Sequence, residues 1–211
     1  MPLITIYKNI KAVSSGFNRD VYYALNRIKE GKSLPLINQI RFEPIKEKRD
    51  ELKKQLPSIC FSGTFKQRND ASIIQHSGLI CLDFDKFPND NEFNTWRDTL
   101  MANEYSFALF TSPSGKGMKV LVKIPPEKEN HHAYFNALKE YFNCQYLDEG
   151  AKSLSMATYE SYDPKLFINE DAAIWSQREE EQIHELGASI GLRLNNENRI
   201  VQNIFTWWKN K

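Results

Sequence analysis

Residues 79–86 read Leu-Ile-Cys-Leu-Asp-Phe-Asp-Lys, an apolar run that ends in two carboxylates, Asp83 and Asp85, two positions apart. On a β-strand, side chains i and i+2 share a face, so the two acids stand side by side while Leu82 and Phe84 point the other way. Like charges that close repel each other. A bound cation relieves the repulsion, and so does a raised pKa in one of the acids. A divalent metal at a strand end is the first chemistry this pattern suggests; the alternative is a strand running into a solvated acidic loop.

A second segment with chemistry in it is Ser112-Pro113-Ser114-Gly115-Lys116-Gly117-Met118-Lys119. Gly115 and Gly117 permit positive φ and close backbone approach, so that N–H groups can point at an anion while Ser114, Lys116 and Lys119 add a hydroxyl and two charges. The spacing is not that of a Walker A loop, because Phe110 and Gly117 stand where that pattern needs glycine and Ser or Thr. The plain alternative is a glycine hairpin with solubilising lysines. In the strand that follows, Lys119, Leu121 and Lys123 share one face and Met118, Val120, Val122 and Ile124 the other. A carboxylate pair and a cationic glycine turn in one sheet are the parts that metal-assisted nucleotide chemistry requires. Asp148, in Gln-Tyr-Leu-Asp-Glu-Gly, is the candidate third acid. His131 and His132 fall in the polar start of a helix, where exposure is the expectation.

The elements that must position these residues follow from periodicity and punctuation. A strand at 3–7 precedes a helix over about 17–30 that Gly31 stops, and Pro35 and Pro44 bracket an irregular stretch. A charged helix at 45–56 leads to a strand at 58–63. After the acidic strand come a helix near 91–103, strands at 105–111 and 118–124, a helix at about 128–142 and a strand-like 156–162. This rhythm describes an α+β domain over 1–175, with an N-terminal α/β part (1–70) and a sheet with helices on one side (71–175); 176–211 reads as a helical tail or linker. From 44 to 68 the chain carries seven Lys or Arg against three acids. That excess is either a solvated helix face or a phosphate-facing surface, with Lys66 and Arg68 as candidate nucleic-acid contacts.

Composition bounds the function class. The 211 residues are 41% hydrophobic, enough for a real core, and 28 basic against 27 acidic side chains give a net charge of +1. No global field announces a polyanion or a membrane as partner, so any phosphate site is local. The N-terminus lacks a basic segment followed by an apolar stretch, and no run approaches the length of a membrane span. Cys60, Cys81 and Cys144 have no CxxC spacing and read as buried thiols of a reducing compartment. The expected location is cytoplasmic.

LICLDFDKF, SPSGKGMKVLVKI and YLDEGAKSLSMATYESYDPKLF, with LPSICFSGTFKQRN ahead of them, together resemble the N-terminal domain that precedes virulence-associated protein E type helicases, a branch of the archaeo-eukaryotic primase superfamily. The resemblance covers about 40–168. It implies an RRM-like catalytic sheet joined to an N-terminal α/β unit. It also implies template-directed primer synthesis, in replication of a mobile element or phage, from nucleoside triphosphates on a single-stranded DNA template with two Mg²⁺ or Mn²⁺ ions, and a helicase in cis or trans. The superfamily's hDhD motif falls on Leu82-Asp83-Phe84-Asp85 and its later single acid on Asp148. Its Ser-x-His motif falls on the glycine turn, where Lys119 takes the histidine's place; a lysine still binds a triphosphate as a point charge. Tyr162-Asp163-Pro164 reads as structural. Two competing classes are a primase fold that binds nucleic acid or a helicase without making bonds, and a haloacid-dehalogenase phosphatase with Asp83 as nucleophile. The latter motif continues Gly-Thr, where this chain has Lys86-Phe87.

Overall fold

The computed structural model describes residues 1–178, so the two helices expected in the tail lie outside the described residues. Within them the chain is α+β, built on two four-stranded antiparallel sheets and a small hairpin. Strands β1 (Leu3–Tyr7) and β2 (Phe17–Asp20) form a hairpin, and helices α1 (Val21–Glu30), α2 (Leu34–Phe42) and α3 (Lys46–Lys53) follow. Strand β3 (Ser58–Cys60) pairs with β1, and β4 (Gly63–Phe65) pairs with β5 (Ile73–His76). The second half runs β6 (Leu79–Phe84), α4 (Asp90–Ala102), β7 (Ser106–Thr111), β8 (Met118–Lys123), α5 (His131–Phe142), β9 (Thr158–Tyr159) and β10 (Phe167–Ile168).

The first sheet has the order β2-β1-β3-β9 and the second β10-β7-β8-β6. Beyond β6 the second sheet gains one more antiparallel bridge, Phe84 to Leu147. The N-terminal sheet is completed by β9, so the chain returns to it after building the second sheet.

The second sheet is covered on both faces. Leu82, Phe84, Val120 and Val122 pack with Leu100 of α4 and with Tyr134, Phe135 and Leu138 of α5. The opposite face, through Leu79, Phe107, Phe110 and Leu121, packs on Ile4, Ile6, Leu25, Ile28 and Phe61 of the N-terminal unit. Each fully buried Leu, Ile or Phe contributes about 1.5–3 kcal/mol relative to exposure, so this two-sided burial is what fixes β6 in register. The alternation expected along β6 and β8 is the one observed.

Several elements differ from the pattern reading. Residues 17–20 continue a strand because they pair with β1, and the helix begins only at Val21, capped by Asp20, whose carboxylate accepts the Tyr23 N–H at 3.0 Å. Gly31, at φ 72°, ends it as expected. The stretch between Pro35 and Pro44 is a helix: proline is tolerated in a first turn, and Ile37 and Ile40, three apart, are buried beneath it. The strand-like 156–162 shortens to Thr158–Tyr159.

His131 overturns its expected exposure. It is 2% exposed, and its Nδ1 lies 3.0 Å from His76 Nε2. The His76 Nδ1 accepts the Gly78 N–H, so the Nε2 proton is the one shared with His131. Neighbouring His132 is exposed, 4.0 Å from Asp70. Burial, opposed by Glu129, pushes His76 down to about 4; burial, with His76 and His132 and against Asp70, pushes His131 down to about 3. The unfolded chain therefore binds these protons from pH about 6.5 downward while the folded chain does not. Stability is expected to fall as pH drops from 6.5 toward 4, by up to about 1.4 kcal/mol per pH unit for each histidine. Urea midpoints at pH 7, 6 and 5 check this, and His131→Leu should flatten the slope; equal slopes in both proteins would contradict it.

Candidate functional site

Asp83 lies on β6 directly opposite Lys119 on β8, and the two side chains form an ion pair. The pair is largely enclosed, with the side chains 15% and 11% exposed. Lys119 is on the acid face because β8 alternates: Met118 and Val120 go to the helical core, Lys119 to the other side. Asp85 follows β6, its N–H donating to Tyr146 O at 2.9 Å, and Lys86 Nζ is 3.9 Å from its carboxylate. The Asp148 N–H donates to Asp83 O at 2.8 Å, so the third acid is carried beside the end of β6. Its carboxylate accepts the Gly150 N–H at 3.0 Å, capping a short helical turn. Burial first, then the negative charges of Asp83 and Asp148, raise the Asp85 pKa against the opposing pull of Lys86 and Lys119. The crowding of like charge expected from the spacing is offset at Asp83 by an internal cation, and burial and that crowding show at Asp85 as a raised pKa.

The glycine turn closes with the Ser112 N–H donating to Gly117 O at 2.8 Å and the Gly117 N–H to Ser112 Oγ at 3.1 Å. The Gly115 N–H donates to Ser112 O at 2.9 Å. The two glycine N–H groups expected to face an anion are therefore used inside the turn, which also carries the half-buried Ser114 hydroxyl, in contact with Ser112 Oγ, and exposed Lys116. Gly117 is required by close approach: a Cβ there would stand 2.7 Å from Phe84 O and 3.3 Å from Asp85 Cβ. Gly115, at φ 77°, supplies the left-handed residue of the turn.

Of the two basic residues proposed for nucleic acid, Lys66 is exposed. The Arg68 guanidinium donates to the Ile10 and Ala12 carbonyls and lies over the Tyr7 ring, pinning the loop after β1. Asp163 is structural, as its sequence context suggests, accepting from Thr111 N and Oγ1 and from Arg97. Pattern reading missed Arg41, on α2, which donates to Tyr162 O at 2.7 Å and Pro113 O at 3.3 Å and reaches the glycine turn. The buried pair Ile37 and Ile40 was the available signal for the helix that carries it.

A model of the BT4734-like N-terminal domain matches residues 51–167, more than half of the chain, across β6, the glycine turn and Asp148. The chain belongs to that family. No curated protein and no solved structure matches it. In this BT4734-like domain no helix among the described residues is long and apolar enough to cross a membrane.

Asp83 and Asp85, at the end of β6, bring carboxylate oxygens, the ligand type that hard cations take. Among the described residues no group of three or more His, Cys, Asp or Glu side chains is arranged to hold a metal by itself. Magnesium at nucleotide sites, however, is held by one or two carboxylates with substrate phosphates completing its shell, and Asp83 with Asp85 is a donor set of that kind.

Removing one partner of an enclosed ion pair leaves an uncompensated charge, at a cost of about 3–5 kcal/mol. Lys119→Met should lose that much stability, whereas Asp85→Asn, which removes the crowded acid, should leave stability unchanged or slightly raised. Denaturant titration of both at pH 7 checks the contrast, and a larger loss in Asp85→Asn would contradict it.

Proposed function

We propose that this domain is a primase-polymerase-type nucleotidyltransferase that extends or starts a strand on a single-stranded DNA template in replication of a mobile element or phage. The observation that carries the reading is the convergence at one end of one sheet: Asp83 on β6 and Asp85 just after it, Asp148 hydrogen-bonded alongside, Lys119 opposite Asp83 and Gly117 against the Phe84 carbonyl. The topology supports it as well. From β6 the elements run strand, helix, strand, strand, helix, bridging segment, and the spatial order is Leu147 segment, β6, β8, β7, which is the order of an RRM-like sheet.

Asp83, Asp85 and Asp148 are the residues that would hold two Mg²⁺ or Mn²⁺ ions. The chemistry such ions supply is a lowered pKa for the attacking 3′-hydroxyl and neutralisation of charge on the leaving pyrophosphate. Lys119 neutralises Asp83 in the free protein and is a cation available to a triphosphate when the carboxylate takes another partner. Ser114, Gly115, Lys116 and Gly117 form the turn that faces the phosphates, and Gly117 keeps it within reach of the acids.

One observation favours a second reading, a primase fold that binds nucleic acid or a helicase partner without bond formation: Lys119, standing where the superfamily motif has histidine, already satisfies Asp83 from within.

A primer-extension assay separates the two. With Mn²⁺, nucleoside triphosphates and a primed single-stranded template, the wild type should extend the primer and Asp83→Asn/Asp85→Asn should not. Mn²⁺ with triphosphate should also raise the wild-type Tm, since a ligand that binds only the native state stabilises it, and should leave the variant's Tm in place. Absence of extension together with retained DNA binding would favour the second reading.

A further inference from the structure

Arg41 is half buried beside the glycine turn, and no carboxylate among the described residues lies within ion-pairing distance of it. Other enclosed arginines are differently placed. Arg27 is bound by Glu160 and Arg97 by Asp163. The Arg41 guanidinium instead lies 5.9 Å over the Tyr162 ring, gives Nη2 to Tyr162 O and gives Nε to Pro113 O, the second residue of the turn. A guanidinium has five N–H donors, and these two bonds leave three. Gly115 is at its side: a Cβ added there would lie 3.7 Å from Arg41 Nε, an open van der Waals distance. Ser114 Oγ and exposed Lys116 belong to the same turn.

We propose that Arg41 is a phosphate-binding residue, its free N–H groups forming with Ser114 and Lys116 the anion site of the glycine turn, for the outer phosphates of a nucleoside triphosphate. This rests on the nucleotide-binding reading above. The turn's own glycine N–H groups are engaged internally, and Arg41 adds to the turn donors that another element delivers. Planar guanidinium donors match phosphate oxygens in pairs, which a lone lysine does not. Burial lowers the Arg41 pKa, opposed by Asp163 and Tyr162, in keeping with a cation whose site favours an incoming anion.

The test uses inorganic tripolyphosphate and ATP with Mg²⁺ as probes, with calorimetry as the readout and Tm as the check on folding. Arg41→Gln keeps a donor for the two carbonyls and removes the charge; it should bind both probes at least about tenfold more weakly. Gly115→Asp leaves Arg41 in place and sets a carboxylate beside it, while Gly115→Asn bears the same backbone strain without the charge; the Asp variant should bind at least about tenfold more weakly than the Asn variant. A single-stranded oligonucleotide without a triphosphate should bind wild type and Arg41→Gln alike. Equal tripolyphosphate affinity in wild type and Arg41→Gln, or in the two Gly115 variants, overturns the role of Arg41 while leaving the nucleotide site standing. A loss confined to the oligonucleotide also overturns it. A wild type that binds neither probe overturns both this proposal and the nucleotide reading.

Discussion

Two carboxylates at the end of one strand need a cation, and the described structure meets that need with Lys119. Nearly everything around β6 follows from keeping that arrangement. The register with β8 sets Lys119 opposite Asp83, and the register holds because every second residue of both strands is committed to the core under α4 and α5. A one-residue slip would bury Asp83 and Lys119 among Leu100, Tyr134 and Leu138 and turn Leu82 and Val120 outward. Apolar burial therefore decides which ionic contact forms.

Asp83 occupies the face of the sheet that is turned toward the N-terminal unit, not the helical face. That unit is more than a platform. Its helix α2 delivers Arg41 to the glycine turn, and its sheet takes in β9 from the second half of the chain. Asp163 ties the end of β7 to the segment after β9, so the start of the turn is held from two directions. In the proposed reaction such bracing matters, because reacting groups must be held within fractions of an ångström of productive geometry.

What the sequence made legible is what local periodicity controls. Asp83 on one face of β6, Leu82 and Phe84 on the other, and Lys119 on the Asp83 side of its strand follow from a period of two. Gly31 and the helix near 91–103 follow from capping chemistry. What escaped depends on tertiary context. The helix at 34–42 was hidden by its prolines, one of which sits harmlessly in its first turn, and Arg41 was hidden with it. His131 looked polar and exposed at a helix start because nothing local shows that His76, 55 residues away, is its partner. The carbonyl partners of Arg68 belong to a loop near residue 10, a contact that no local pattern shows. The pairing of Lys119 with Asp83 itself depends on inter-strand register, which Gly117 makes possible by letting the turn close against Phe84 O.

Lys119 is the internal counter-cation of Asp83, and in the proposed reaction it yields that place to divalent metal and triphosphate. The most direct measurement is anomalous diffraction from crystals soaked with Mn²⁺ and a non-hydrolysable triphosphate. The account predicts manganese density at Asp83 and Asp85, with Lys119 Nζ moved from Asp83 to a phosphate oxygen. Crystals that bind the triphosphate with no manganese at these acids, and with Lys119 still paired to Asp83, would contradict it.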